Sequence, residues 1–419
     1  MFEDLKNVKG VLQMKTVAIA GTFDSKGREF AYIRDLIEGQ GLKTLTIHTG
    51  VFAPAFVPDI SNEEVAAEVG EDISAIARKG DRALATDVLS RGMTSIIPRL
   101  YHEGRFDGII SLGGSGGTAL VTPGMRALPI GVPKLMVSTM VGGNISGYVG
   151  TSDIIMMPSV VDVAGLNSIS TKIFTNAAFA IAGMVKFEND NVLEKKPLVA
   201  ATMFGVTTPC LNEAQRVLEE NGYEVLIFHA TGTGGKSMEA LINAGFIEGV
   251  LDITTTEWAD ELVGGILAGG QHRLEAAGKA GIPQVVSTGA LDMVNFGPIE
   301  SVPASFKNRK LYKHNPMITL MRTTKDENKA IAHEIAVRLN EAAGQTVLML
   351  PLKGVSGIDA PEQPFYDPEV DTALFEALES ECNSNTVEIE KLNLHINDKA
   401  FAKAAAEKLM QMMEQKSDQ

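Results

Sequence analysis

The chain has 419 residues, 45% hydrophobic and 21% charged, with 41 glycines and one tryptophan. That is enough for two or three domains with apolar cores, and it excludes disordered and collagen-like chains. Lys plus Arg number 37 against 52 Asp plus Glu, a formal charge of −15; with no local basic patch, this balance repels polyphosphate backbones and excludes a nucleic-acid partner.

Short β-branched runs alternate with helical patterns throughout, which predicts an α/β architecture with mainly parallel sheets. In the first half, 16–20 is a strand, 21–27 a loop and 28–38 a helix, followed by a strand at 42–48. Apolar residues from 71 to 101 keep a helical spacing and predict two helices broken near Gly80 or Gly92. The strand at 106–112 runs into a glycine loop and a helix that Pro123 and Gly124 should limit. Strands follow at 134–138 and 153–157. Residues 165–188 carry Ile169, Ile173, Phe174, Ala177, Ile181 and Val185 on one stripe, the mark of a helix packed on a core.

The polar stretch 188–196 is the expected linker, and the pattern then restarts, so the domains are expected at 1–190 and 191–419. Strands at 198–203, 224–228 and 249–253 alternate with helices at 210–220 and 236–244. The tail adds strands at 346–350 and 386–389, a helix at 369–380, and a terminal helix at 398–414 expected as a packing or dimer element. Each half follows strand, loop, helix and strand with a His and a glycine, His48-Thr49-Gly50 in one and His229-Ala230-Thr231-Gly232 in the other.

Two cysteines, Cys210 and Cys382, cannot make a disulfide framework or a Cys-based zinc site, which points to a reducing compartment and the cytoplasm. Cys210, just after Pro209 at a helix start, is where a thiol pKa can be lowered. The acidic start Met1-Phe2-Glu3-Asp4 is unlike a signal peptide, and no run approaches the roughly 18 apolar residues of a membrane span. No membrane partner is expected. Seven histidines show no metal-ligand spacing, so no metal site is expected.

The sharpest chemical feature is Gly113-Gly114-Ser115-Gly116-Gly117-Thr118. A strand enters a glycine loop and a helix begins, so backbone N–H groups and the helix dipole converge on one point and make a cradle for phosphate or carboxylate. A tight turn needs fewer glycines. The loop lacks the spacing of a dinucleotide fingerprint. Gly21-Thr22-Phe23-Asp24-Ser25-Lys26-Gly27 also follows a strand, offering Thr22, Lys26 for a phosphate, and Asp24 for a metal or ribose hydroxyl, or else an ordinary capped helix start. Ser138-Thr139-Met140 ends a third strand and either closes around a base or sugar or is a plain turn.

In the second half, Ala230-Thr231-Gly232-Thr233-Gly234-Gly235-Lys236-Ser237 differs by its first residue from a P-loop. Gly232, Gly234, Gly235, Lys236 and Ser237 are expected to hold a small anion or substrate. Later strand ends supply Glu257, Asp292, His314 and Arg322, residue types sufficient for acid–base chemistry on an anionic metabolite, or for caps and loop hydrogen bonds.

Together, Gly21-Thr22-Phe23-Asp24-Ser25-Lys26, the loop from Gly113 to Thr118, Gly289-Ala290-Leu291-Asp292-Met293-Val294-Asn295-Phe296-Gly297-Pro298, His314-Asn315-Pro316, and Gly357-Ile358-Asp359 with Pro364-Phe365-Tyr366-Asp367-Pro368 resemble the Tm-one-like ATP-binding family of bacteria, fungi and plants, to which the tomato mosaic virus resistance protein is related. The resemblance spans nearly the whole chain. It implies two Rossmann-like domains with doubly wound, mainly parallel sheets, ATP held by the N-terminal one, and a homodimer. Apart from the resemblance, magnesium is an expected companion of the nucleotide. Carried over, Thr22, Asp24, Lys26 and the loop from Gly113 to Thr118 are the expected nucleotide positions. The function expected is ATP binding, with an enzyme acting on a small anionic metabolite in an interdomain cleft. The alternatives are a nucleotide-dependent interaction module and a carboxylate- or sugar-binding enzyme without nucleotide.

Overall fold

The computed structural model describes residues 14–187 and 196–417 and divides into two compact units, Met1–Val192 and Leu193–Gln419. The expected linker, apart from Lys196, lies outside the described residues.

The N-terminal unit is built on five parallel strands: β1 (Thr16–Gly21), β2 (Lys43–His48), β3 (Gly108–Gly113), β4 (Lys134–Ser138) and β5 (Ile155–Pro158). Their order is β2-β1-β3-β4-β5. Side chains alternate across the sheet as a strand requires. Val17 and Ile19 of β1 pack with Phe30, Ile33 and Phe174 on one face, while Ala18 and Ala20 pack with Val88, Met93 and Val121 on the other. Helices cover both faces, so the sheet is doubly wound and its order reverses at β1, with β2 on one side and β3 on the other. Such sheets present ligands with a crevice at the carboxyl ends of the strands flanking that reversal.

Several boundaries differ from the sequence reading. The first helix starts at Phe23 and runs to Gly39, with a non-helical Lys26 (φ −131°, ψ 27°), because the Thr22 carbonyl accepts from the N–H of both Ser25 and Lys26. The helical stretch breaks at Gly80, which is left-handed at φ +69°, and then runs unbroken from Arg82 to His102. Gly92 lies inside that helix and is needed for close packing, since a Cβ there would stand 2.1 Å from the Val65 carbonyl. Pro123 and Gly124 do not end the helix Ser115–Arg126. Gly124 instead lets it press against the Met93 carbonyl, 2.7 Å from where a Cβ would stand.

The C-terminal unit repeats the plan with β6 (Leu198–Met203), β7 (Glu224–His229), β8 (Gly249–Thr254), β9 (Gln284–Gly289), β13 (Thr346–Pro351) and β14 (Val387–Leu392) in one sheet. All are parallel, in the order β14-β13-β9-β8-β6-β7. Between β9 and β13 the chain inserts an antiparallel sheet that the periodicity did not reveal: β10 (Met293–Phe296), β11 (Leu311–Asn315) and β12 (Ile318–Arg322), ordered β10-β12-β11. The terminal helix Lys399–Ser417 packs Phe401, Ala402, Ala405 and Leu409 against Leu211, Ala214 and Leu218 of its own unit. No helix among the described residues is long and apolar enough to cross a membrane.

Candidate functional site

The three loops of the N-terminal unit that carry the expected nucleotide positions end β1, β3 and β4, which are adjacent in the sheet. Gly114 precedes the helix Ser115–Arg126 in an extended conformation, no side chain caps that helix, and its first turn holds no acid. The first intrahelical bond runs from Thr118 N–H to the Gly114 carbonyl. The amides of Ser115, Gly116 and Gly117 therefore have no intrahelical acceptor, as at any helix start, and Ser115 and Gly116 are exposed. Gly113 is needed where it stands, since a Cβ would lie 3.0 Å from the Cα of Gly117.

Thr118 is buried, and its hydroxyl bonds both the Gly114 carbonyl and the Ser138 hydroxyl. Ser138 in turn accepts from Met140 N–H at 3.1 Å, which folds Thr139 and Met140 into a short turn. The Thr139 hydroxyl lies 3.7 Å from a Cβ built on Gly114, so the third loop borders the glycine loop.

The first loop is more committed. Among the described residues its Thr22 hydroxyl bonds only that of Ser25, at 3.0 Å. Asp24 Oδ2 accepts from Phe52 N–H at 3.1 Å, and Lys26 donates its ammonium to the Val163 carbonyl. His48, which the sequence reading passed over as a site, locks this region: Nδ1 accepts from the amides of Phe23 and Gly50, so Nε2 carries the proton donated to the Phe52 carbonyl. Two buried polar atoms here lack partners, Asp24 Oδ1 and Thr49 Oγ1. The uncapped amides suit phosphate, and the orphaned Asp24 oxygen suits a ribose hydroxyl or magnesium. On these grounds the residues fit a bound nucleotide.

The second unit's candidates are distributed differently. Glu257, fully buried, accepts from the amides of Gly232 and Gly235 and pairs with Arg273, whose other nitrogens grip Asp252 at 2.5 and 2.8 Å. The amides expected to hold a substrate anion thus hold one of the chain's own carboxylates. Gly234 packs against the His229 carbonyl, while Lys236 is exposed and Ser237 half-buried.

Asp292 and Arg322 belong to another cluster. Arg322 bonds Asp371 at 2.6 Å and stands 3.7 Å from Asp359, and Asp292 accepts from the Ser356 hydroxyl at 2.8 Å. Three carboxylates share one guanidinium. Burial, then the Asp359 charge, pushes the Asp292 carboxyl up to about 7 against the pull of Arg322. Burial likewise raises Asp371 to about 8. His314 belongs to neither cluster, being exposed on the outer strand β11. Asp359 and Arg273 were not among the sequence candidates; Arg273 stands in no recognisable motif, whereas Asp359 lay in a quoted one. Among the described residues no group of His, Cys, Asp and Glu is arranged to hold a metal ion. Cys210 is the reverse of an activated thiol, because burial pushes it up to about 12.

Fold and site define a class: a two-unit, doubly wound α/β protein with an uncapped glycine loop at the sheet reversal of its first unit. The chain belongs to the uncharacterised protein family UPF0261, whose N-terminal domain matches residues 15–190 and whose C-terminal domain matches residues 196–413. It is 54% identical to a UPF0261 protein of Clostridium tetani over 96% of this chain and 99% of that one. It is 45% identical to the ToMV resistance protein Tm-1(GCR237) of Solanum lycopersicum over 79% of this chain, which spans 45% of that longer protein. Among solved structures it is similar to the UDP-GlcNAc 2-epimerase of Methanocaldococcus jannaschii at 10% identity over 65% of this chain and 83% of that one, with a TM-score of 0.22, a value that carries no argument about this chain.

Proposed function

We propose that the N-terminal unit binds ATP, its phosphates lying against the amides of Ser115, Gly116 and Gly117. One observation carries this reading: the uncapped, acid-free start of the helix Ser115–Arg126 opens beside the sheet reversal, with Thr139 at its border and Thr22 at the end of the adjacent strand β1. An anion there takes up orphan donors and meets the positive end of the helix dipole. Asp24, with its unpartnered oxygen, is the residue for a ribose hydroxyl or magnesium. The protein works in the cytoplasm, where its two free cysteines persist, and as a homodimer, as the resemblance implies.

Binding without second-unit catalysis is the form of this function that the geometry favours. Glu257 is locked in one buried cluster and Asp292 and Arg322 in another, and His314 stands apart from both. ATP then sets the conformation that a partner meets, and the purified protein should turn it over negligibly.

Magnesium-ATP should raise the melting temperature, because a ligand that binds only the native state stabilises it by about 2.7 kcal/mol at one hundred times its Kd. Gly116→Val, whose branched side chain fills the phosphate approach, should abolish the shift in a protein that still folds. A melting temperature flat across millimolar ATP refutes the proposal. A response to phosphate or carboxylates but not to ATP assigns the loop to a substrate instead.

A further inference from the structure

The loop Ala230-Thr231-Gly232-Thr233-Gly234-Gly235-Lys236-Ser237 ends β7 and opens the helix Thr233–Asn243, which has no side-chain cap. In sequence it comes within one residue of a P-loop, so phosphate is its expected guest. Its geometry is already complete. Glu257 Oε1 accepts from Gly232 N–H at 2.6 Å and Gly235 N–H at 3.2 Å, and Oε2 accepts from Arg273 Nε at 2.6 Å. Two main-chain donors and a guanidinium converging on one oxyanion are the donors a bound phosphate or carboxylate would recruit.

We infer that Glu257 is a built-in occupant of this cradle: its carboxylate takes the place of an external anion, closes the C-terminal unit to nucleotide phosphate, and leaves a site for a small carboxylate when the side chain is removed. The loop is shaped to that group, since a Cβ on Gly235 would lie 2.3 Å from Glu257 Oε2. Glu257 comes from just beyond β8 and has no exposed surface. Lys236, by contrast, is exposed and makes no hydrogen bond or ion pair among the described residues; a P-loop lysine would face the phosphates. An incoming phosphate would have to eject a tethered carboxylate and strand it, unpaired, in a buried site, a strongly unfavourable exchange. The guest that matches the vacated space is acetate, because Glu257→Ala removes a CH2–COO⁻ fragment.

Hydrogen exchange read by mass spectrometry tests the wild-type protein directly. Millimolar ATP or inorganic phosphate should leave exchange at 232–237 unchanged, whatever it does at 115–118, so this result and the nucleotide proposal stand or fall separately. Slowed exchange at 232–237 overturns the inference. Glu257→Ala should melt below the wild type and recover by a few degrees, saturably, in acetate relative to chloride at equal ionic strength, while the wild type shows no such response. A folded Glu257→Ala that answers acetate and chloride alike also overturns it. Should that variant fail to fold, the wild-type exchange measurement still decides.

Discussion

The hydroxyl of Thr118 lies 2.7 Å from the hydroxyl of Ser138, joining the first turn after β3 to the last residue of β4. It also donates to the Gly114 carbonyl at 2.7 Å, so one buried side chain fixes the glycine loop to the neighbouring strand. Thr118→Val keeps the shape and removes both bonds. Losing a buried hydroxyl's partners costs about 1–3 kcal/mol, and each kcal/mol lowers the melting temperature of a unit this size by roughly 2–4 °C. Calorimetry should show the N-terminal unit melting several degrees lower and the ATP-induced shift reduced. An unchanged melting profile would mean that the hydroxyl pair does not hold the loop.

The Arg322 cluster predicts a pH dependence. Asp292 and Asp371 titrate near 7 and 8 in the folded protein, well above the roughly 3.9 of an aspartate in an unfolded chain. The folded state therefore holds protons that the unfolded state has released. The resulting stabilisation is complete below about pH 4 and is lost as pH rises through 7 and 8. Thermal melts should show the C-terminal unit losing stability from pH 6 to 9. Asp359→Asn, which removes a neighbouring negative charge that raises both groups, should flatten that decline. A slope of the opposite sign in the wild type would contradict the buried arrangement of the three carboxylates.

Thiol chemistry offers a third check. Cys210 has no exposed surface and its thiol is pushed up to about 12 by burial, while burial and then the Glu381 charge push Cys382 up to about 11. Neither is a ready thiolate at pH 8. A disulfide reagent should modify Cys382 slowly and Cys210 only on unfolding. Native labelling of Cys210 at the rate of a free thiol would place it in a different environment.

Much of this molecule was legible because the decisive signals are local. Strand-length β-branched runs marked most of the parallel strands within a few residues, since a strand buried on both faces writes its burial into its own composition. Gly113-Gly114-Ser115-Gly116-Gly117-Thr118 declared a helix start rich in free amides for the same reason. The errors fell where distant contacts overrode local rules. Pro123 and Gly124 look like a stop, yet the helix continues, because Gly124 permits close packing on a helix about thirty residues earlier. The antiparallel sheet β10-β12-β11 escaped notice because its strands are four or five residues long and read as strand-end polar clusters.

Sequence alone determined two doubly wound units, each with a glycine loop at a helix start, because the direction of the amides there follows from backbone geometry within a few residues. Only the tertiary structure decided which loop is open. In the second unit a carboxylate 25 residues from Gly232 fills the cradle, and an arginine 16 residues further on holds it there; in the first, no side chain among the described residues bonds the helix-start amides from Ser115 to Gly117. The occupancy of a donor set depends on which side chains the strand order delivers to it, and that order comes from packing the whole sheet.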